Sequence, residues 1–438
     1  MKKFLLVLFQ CLICSKFFTQ IQNGPMIGYV HQKEVALWVQ TESSQKVQFA
    51  YRIAGSQKKW RVTPTQQTIE ASAFTCKAVL QNLNPGRSYE YRVILDNQIQ
   101  TPYGSQVFKT QNELSSKKQA IDLSFAIGSC TYINEEGFDR PGIPYGGDYK
   151  IFEAIYQSTP DFMLWLGDNV YFREADLATK STMIHRYTYS RNLPEQKKLL
   201  ANIPQYAIWD DHDFGPNDSD GSFVNKSVSK EVFDLFWANP PQLNPNAVFK
   251  GITNQFEWSD SQFFLLDNRY DRAPNKGIEA PRTILGYAQL AWLKDALLSS
   301  TATFKFIALG GQFLNTAPVF ENYAANGFDK ERQELIDFIY LHQIKNVVFL
   351  TGDRHHSELS ILSEPGKPTI YDLTISPLTS GVHDASNEAN LVRVPNSHFA
   401  TRNYGLLKVS GKKNERFLEM DIYDSYGQKI WNTSIKAE

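Results

Sequence analysis

The chain has 438 residues, more than one ordinary hydrophobic core accommodates and enough for a small domain followed by a large one. Hydrophobic residues make up 42% and charged residues 21%, the usual balance of a globular protein rather than a disordered one. The formal net charge of -1 gives no indication of a nucleic acid or an anionic membrane surface as partner.

A secretory signal peptide is predicted at residues 1–20. Met1, Lys2 and Lys3 form a short basic start, residues 4–14 are apolar, and a polar exit follows. The apolar run is too short to span a bilayer comfortably, and an N-terminal anchor is the alternative interpretation. The pattern therefore predicts a secreted protein, located in a periplasm or at the extracellular surface.

Residues 24–111 have the pattern of a small all-β domain. Short, partly alternating segments rich in β-branched and aromatic residues are predicted as strands at 35–39, 47–53, 77–80 and 89–93. Residues 83–91 resemble the turn and following strand of fibronectin type III domains. A fibronectin or immunoglobulin-like β-sandwich is expected here, followed by a polar linker at residues 112–122.

The pattern changes in residues 123–438. Compact apolar runs typical of strands buried on both faces occur at 123–127, 162–166, 206–209, 263–266, 304–309 and 347–350. Helical patterns lie between them, for example at 287–298 and 330–342. Strands that alternate with helices predict a layered α/β domain, and the tail from residue 405 is predicted to add closing strands.

Polar, ligand-capable residues follow five of these six runs. The segments are 128–130, 167–171, 210–218, 267–272 and 351–356. In an open α/β sheet, sites form where the strands end at their carboxyl edge. Carboxylates gathered at one edge repel one another unless cations are bound, so the pattern predicts a metal site.

The donor types restrict the choice of metal. Many carboxylates with few nitrogen donors favour hard or borderline ions over an all-thiolate structural zinc site. Cys130 and Tyr171 would suit trivalent iron, whereas an oxygen-rich neighbouring position would suit calcium or magnesium. Cys130 is alternatively a buried core cysteine, and Tyr171 alternatively a packing residue.

The ordered set Gly-Ser-Cys, Gly-Asp-x-x-Tyr, Trp-Asp-Asp-His-Asp and Gly-Asp-x-His resembles the PhoD-type alkaline phosphatases, within the calcineurin-like metallophosphoesterases. The resemblance covers nearly the whole chain, because those proteins also carry an N-terminal immunoglobulin-like domain. It implies a β-sandwich catalytic domain flanked by helices, with Fe³⁺ and Ca²⁺ or other divalent metals as cofactors. It implies metal ligands at Cys130, Asp168, Tyr171, Asp211, Asp353 and His355.

Within that ligand set, Cys130 and Tyr171 match the family's iron ligands, and Asp168 matches a carboxylate that bridges two metals. Asp353 and His355 match the last ligand pair; His355 is preferred to His356 because its spacing from Asp353 fits the family.

Further residues are expected to act on the substrate. His212 matches a histidine that contacts the phosphate and protonates the leaving oxygen. Arg269 and Arg354 are predicted to hold the phosphate, although Arg269 could instead neutralise nearby carboxylates. Asn217 is a further expected metal ligand, but the segment after His212 departs from the better-known phosphatases. Gln312, after two glycines, is predicted to point toward the site.

These features predict a metal-dependent phosphoesterase that hydrolyses small-molecule or lipid phosphate esters with activated water. Phosphodiester or phospholipid hydrolysis on the same metal core is the enzymatic alternative. A non-enzymatic surface binding protein and a structural calcium-binding domain are the alternatives of other classes.

Overall fold

The structure is a computed structural model that describes residues 21–100, 106–113, 120–139, 141–241, 250–277, 282–319 and 322–438. The predicted signal peptide lies outside the described residues, as do residues 114–119 of the predicted linker. The described part of the chain contains two β-rich regions, and the second also contains α-helices.

The first region contains strands only, apart from a short 3-10 turn at Glu70–Ser72. Its strands are β1 (Ile21–Val30), β2 (Val35–Thr41), β3 (Lys46–Ile53), β4 (Arg61–Val62), β5 (Gln66–Gln67), β6 (Thr75–Leu80), β7 (Ser88–Leu95), β8 (Gln98–Gln100) and β9 (Gln106–Lys109). One sheet has the order β1-β2-β6 and the other β4-β3-β7-β8, with β5 paired to β3 and β9 to β7. The four predicted strands are confirmed as β2, β3, β6 and β7, and every second side chain of β7 is buried, as alternation predicts.

The second region holds twelve strands among the described residues. They are β10 (Leu123–Gly128), β11 (Phe162–Leu166), β12 (Gln205–Ile208), β13 (Asn254–Trp258), β14 (Ser261–Leu265), β15 (Phe304–Leu309), β16 (Val347–Thr351), β17 (Glu358–Leu362), β18 (Ile370–Thr374), β19 (Asn403–Lys412), β20 (Glu415–Asp424) and β21 (Lys429–Lys436). All six predicted apolar runs are strands, and the tail adds β19 to β21 as expected.

Helices connect or flank these strands. They are α1 (Ile151–Gln157), α2 (Lys180–Arg191), α3 (Pro194–Asn202), α4 (Asp211–Phe214), α5 (Lys226–Phe236), α6 (Tyr287–Ser299) and α7 (Asp329–Leu341), with a 3-10 turn at Glu174–Asp176. The helical patterns at 287–298 and 330–342 correspond to α6 and α7. None of the helices in the described ranges combines the length and apolar character needed to cross a membrane.

Two six-stranded sheets form the sandwich of the second region. Their orders are β12-β11-β10-β19-β20-β21 and β13-β14-β15-β16-β18-β17. An aromatic layer fills the space between them: Phe125 stacks on Phe162 in its own sheet and meets Phe263 and Phe306 of the facing sheet edge-on, each at 5.1 Å between ring centroids. These large apolar contacts hold the two sheets together.

Buried hydrogen bonds join the first region to the second. The indole nitrogen of Trp38 donates to the Leu235 carbonyl at 2.8 Å, and the Tyr91 hydroxyl donates to the Ala201 carbonyl at 2.7 Å. The hydrophobic core is continuous across both regions. The small sandwich is therefore packed against helices of the larger region rather than tethered beside it.

The sheet topology brings the ends of several strands together. β10, β11 and β12 are parallel neighbours, as are β14, β15, β16 and β18. Backbone hydrogen bonds link the loops beyond their carboxyl ends, including Cys130 N to Gly167 O at 3.2 Å and Leu378 N to Ser129 O at 2.7 Å. Polar residues that follow different strands thus share one edge.

Candidate metal centre

The predicted ligands lie in sharp turns immediately after the strands. Cys130 follows β10, Asp168 follows β11, and Asp353 and His355 follow β16. All four have left-handed backbone conformations, with φ of 60°, 52°, 68° and 56° respectively. Non-glycine residues rarely adopt this conformation, and such strain is concentrated at functional sites. The turns direct side chains from separate strands into one space.

Three overlapping groups of donor atoms occupy this edge. In each group, the ligand atoms lie within 4.8 Å of one another. The groups are Cys130 with Asp168 and His355, Asp168 with Asp211 and His212, and Asp210 with Asp211 and Asp353. Asp168 and Asp211 each belong to two groups, so the edge has the connectivity of a site for more than one cation.

The first corner of the site is built around Cys130, which is fully buried. Its Sγ lies 3.6 Å from Asp168 Oδ2 and accepts a hydrogen bond from the Ser376 hydroxyl at 3.1 Å. The Tyr171 hydroxyl lies 3.0 Å from Nε2 of His355. Cys130, Asp168, Tyr171 and His355, four of the predicted ligands, are therefore brought together.

The second corner is built by α4 and the loop that follows it. The backbone amide of His212 donates to Asp168 Oδ1 at 3.2 Å, and the amide of Asp218 donates to Asp211 Oδ2 at 2.7 Å. The His212 ring packs on Tyr171 with 4.1 Å between ring centroids. Asp211 Oδ1 is buried, accepts no hydrogen bond and lies 3.7 Å from Nη2 of Arg269.

Burial and like charge strain this cluster electrostatically. Burial, followed by repulsion from Asp211 and Asp210, raises the pKa of Asp168 well above its ordinary value. Burial and the charge of Asp168 likewise raise the pKa values of Cys130 and Tyr171. Bound cations would offset the repulsion and favour the ionised forms of these side chains.

The pKa values of Asp211 and His355 are lowered instead, which favours the forms that can bind a cation. Burial alone would raise the pKa of Asp211, but His212 and Arg269 lower it to about 2. Burial and His212 lower the pKa of His355 to about 4, so its imidazole is neutral at pH 7. The donors thus fit metal ions: carboxylates predominate, and a thiol, a phenol hydroxyl and an imidazole share one corner.

The two predicted phosphate-holding arginines have carboxylate partners. Arg269 is buried and forms an ion pair with Asp210; its Nη2 lies 3.7 Å from Asp211 Oδ1. Arg354 forms an ion pair with Glu388 at 2.6 Å. The placement of Arg269 favours the neutralising role considered above, although its partners follow β12 rather than its own loop.

The remaining predicted residues lie around the cluster rather than within a donor group. Gln312 is buried; its amide nitrogen donates to Glu358 at 2.7 Å and to Thr374 at 2.9 Å. These bonds favour a structural role over contact with substrate. Asn217 is exposed, and its assignment as a ligand stays a prediction. His356 is fully buried, and its Nε2 lies 3.6 Å from Glu358, so His355 rather than His356 belongs to a donor group.

Several residues at the site were not singled out by the sequence pattern. Ser376 supports both Cys130 Sγ and the backbone amide of His355, the latter at 3.0 Å. Asp210, which is not among the predicted ligands, belongs to a donor group. Ser376 follows β18, and this position directly after a strand is the sequence signal by which it could have been identified. Tyr145, whose hydroxyl lies 3.0 Å from His355 Nδ1, follows no strand and gave no signal.

Cys76 is the second cysteine of the described chain. Both Cys76 and Cys130 are buried and free, and burial raises the pKa of Cys76 to about 11. Only Cys130 belongs to a donor group among the described residues. The two thiols therefore differ in surroundings rather than in exposure.

Comparisons with known proteins agree with this architecture. The sequence model of the PhoD-like phosphatase family matches residues 125–421, and that of a domain of unknown function, DUF7800, matches residues 18–113. A solved structure described as "Structure of PhoD" superposes with a TM-score of 0.76 at 18% identity, covering 95% of this chain and 93% of that one. That likeness shows a shared fold.

A curated relative extends the comparison to sequence. Alkaline phosphatase D of Bacillus subtilis (strain 168) is 25% identical over 343 residues, which is 68% of this chain. The alignment spans 56% of the relative's own length. Because the family model covers well over half of the chain, including every predicted ligand, this protein belongs to the PhoD-like phosphatase family.

Proposed function

We propose that this protein is a secreted, metal-dependent hydrolase of phosphate esters whose metals are Fe³⁺ and Ca²⁺. The observation that carries the proposal is the convergence of three overlapping donor groups at one strand-end edge. The Cys130 corner, with its thiol and the neighbouring Tyr171 phenol, is the part suited to Fe³⁺, and the all-carboxylate group of Asp210, Asp211 and Asp353 is the part suited to Ca²⁺. The basic and apolar start of the sequence supports secretion.

Bound metal ions would supply Lewis-acid stabilisation of phosphate charge and a lowered pKa for a water nucleophile. The chain's own residues do the rest. Asp168 and Asp211 each serve two donor groups and so fix the spacing of the centre. Arg269 offsets the charge of Asp210 and Asp211, which keeps these carboxylates compatible with burial.

His212 is the proposed proton donor to the leaving oxygen. Its side chain is 21% exposed, so it reaches the solvent side of the cluster, while its packing on Tyr171 fixes the ring. Its Nε2 lies 4.0 Å from Asp211 Oδ2, so the ring stands beside the donor cluster. A positioned histidine of this kind contributes to departure of an alkoxide.

Phosphodiesters are the second candidate substrates, with phospholipids among them. The observation that favours them is the pairing of both nearby guanidinium groups, Arg269 with Asp210 and Arg354 with Glu388. A monoester carries a second negative charge, and these arginines already neutralise carboxylates. Recognition of a singly charged diester makes a smaller demand on cationic side chains.

The test compares hydrolysis of p-nitrophenyl phosphate and bis-p-nitrophenyl phosphate by purified protein of known metal content. Cys130→Ala is expected to lose iron and turnover, whereas the matched control Cys76→Ala, which removes a buried thiol on β6 that belongs to none of the donor groups, should keep both. Faster turnover of the diester would assign the second substrate class. Absence of turnover of either ester by fully metallated protein would contradict the enzymatic proposal.

A further inference from the structure

The imidazole of His355 lies between two tyrosine hydroxyls. Its Nε2 is 3.0 Å from the Tyr171 hydroxyl, and its Nδ1 is 3.0 Å from the Tyr145 hydroxyl. Tyr171 is one of the predicted metal ligands, and Nε2 is therefore the nitrogen that faces the donor cluster. Tyr145 contacts the opposite nitrogen and belongs to none of the site motifs.

A histidine binds a metal through one ring nitrogen, and the hydrogen bond made by the other nitrogen sets which tautomer is present. When the Tyr145 oxygen accepts a hydrogen bond from Nδ1–H, the proton stays on Nδ1 and the lone pair of Nε2 is directed at the side where Cys130 and Asp168 lie. The same bond restrains rotation of the ring. Tyr145 thus occupies the position from which a neighbour controls the ligand without touching the metal.

The surrounding chain holds Tyr145 in this position. The ring packs directly on Gly381, where an added Cβ would lie 2.6 Å from Cε2 of the tyrosine. The ring also packs edge-on against Tyr132, with 4.9 Å between centroids. The carbonyl of Tyr145 accepts a hydrogen bond from Nη2 of Arg402 at 3.2 Å. A glycine, an aromatic ring and an arginine therefore restrain one partly exposed tyrosine.

We infer that Tyr145 is a positioning residue that orients His355 for metal binding and that Gly381 provides the space for its ring. The inference rests on the proposed metal-dependent function. Tyr145 is assigned no contact with substrate. Removal of its hydroxyl should first weaken retention of the metal bound by His355.

The test measures retention of transition metal by the purified full-length protein. Wild type and Tyr145→Phe are exposed to excess chelator, and the iron remaining on each chain is determined by elemental analysis at intervals. The substitution keeps the ring and removes only the hydroxyl. Loss of an outer partner of a metal-binding histidine typically weakens binding by about 10-fold to 100-fold. With the rate of metal association unchanged, metal should leave Tyr145→Phe at least about 10-fold faster.

The matched control is Tyr132→Phe. The Tyr132 ring packs against the rings of Tyr145 and Tyr171, but its hydroxyl donates to Asp139 rather than to a histidine. This control should lose metal at the wild-type rate. Gly381→Ala should accelerate metal loss by displacing the Tyr145 ring. The double variant Tyr145→Phe/Gly381→Ala should lose metal no faster than the quicker of the two single variants, because both changes disrupt the same contact.

Unfolding temperatures of the metal-free proteins separate positioning from general stability. Wild type and Tyr145→Phe should unfold at similar temperatures once metal has been removed. Equal rates of metal loss from wild type and Tyr145→Phe would overturn the inference while leaving the proposed function intact. Wild type that holds no transition metal and hydrolyses neither ester would overturn both.

Discussion

Glu358 and Asp168 are buried to the same degree, with exposures of 0% and 1%, yet their surroundings shift their pKa values in opposite directions. Burial would raise the pKa of Glu358, but His356 and Arg393 lower it to about 2. For Asp168, burial and neighbouring carboxylates all raise the pKa. One carboxylate is stabilised by the fold, and the other is destabilised by it.

The contacts explain the difference. Glu358 accepts hydrogen bonds from Gln312 at 2.7 Å and from Asn390 at 3.0 Å, and it forms an ion pair with Arg393. Asp168 faces other acidic groups and the thiol of Cys130. A fold that can satisfy a buried carboxylate with its own side chains does so at Glu358. Where it leaves carboxylates facing one another, an added cation is the expected partner.

The largest expected effect is on activity, and it concerns the surroundings of Asp168 rather than those of Glu358. Asp168→Asn should lower turnover of the phosphate esters by more than about 100-fold, beyond the loss typical of an outer metal partner. It removes a donor that serves two groups. Steady-state kinetics and elemental analysis of the same preparation measure the effect.

The same variant should not destabilise the metal-free protein, because it removes a buried charge that the fold disfavours. Thermal unfolding of metal-free wild type and Asp168→Asn provides the comparison. A clearly lower unfolding temperature for Asp168→Asn would contradict the account of this cluster as electrostatically strained.

The next effect is on stability. Glu358→Ala should lower the free energy of unfolding by about 3–5 kcal/mol, because it leaves Arg393, whose side chain is 13% exposed, without its carboxylate. Gln312 and Asn390 also lose their acceptor. Equilibrium denaturation in urea measures the change; a loss similar to that of an exposed acidic residue would show that the network is not stabilising.

The dependence of stability on pH follows from the same carboxylate. The pKa of Glu358 is lowered from an ordinary 4.5 to about 2 in the folded protein. Its stabilising contribution is therefore fully present above pH 4.5 and is lost as the pH falls toward 2. The difference in unfolding free energy between wild type and Glu358→Gln should shrink across that window. A difference that grew on acidification would have the wrong sign.

The smallest effect is expected for an exposed ion pair. Lys230 and Asp234 lie one turn apart on α5 with 2.5 Å between Nζ and Oδ2. Lys230→Ala should change the unfolding free energy by about 0.5 kcal/mol or less, because water and salt screen such pairs. Urea denaturation at low and high salt checks this value and provides the scale against which the Glu358 effect is judged.

The strands and the main donors could be predicted because both depend on local pattern. Apolar runs marked β10, β11, β12 and β16, and the polar residues directly after them formed the donor groups. Parallel pairing aligns the strand ends within each sheet, and hydrogen bonds between the loops of the two facing sheets bring them to one edge.

The partners of the donors could not be predicted in this way. Arg269 pairs with Asp210, which is 59 residues away, although nearer acidic residues flank the arginine in sequence. Tyr145 and His355 are separated by 210 residues. Such pairs depend on how loops from different strands meet, and the periodicity of the sequence does not predict contacts between loops. Gln312 illustrates the same limit. Its position shortly after β15 suggested that it points toward the site, but it did not reveal that its amide donates to Glu358 and Thr374.

The central claim is that the strand-end carboxylate cluster is a metal centre of a phosphoesterase. Anomalous X-ray scattering at the iron absorption edge, from crystals of the purified protein, tests it most directly. The account predicts a peak bounded by Cys130 Sγ, the Tyr171 hydroxyl, an Asp168 oxygen and His355 Nε2. A fully ordered cluster with no metal peak among these atoms, in protein that hydrolyses phosphate esters, would contradict it.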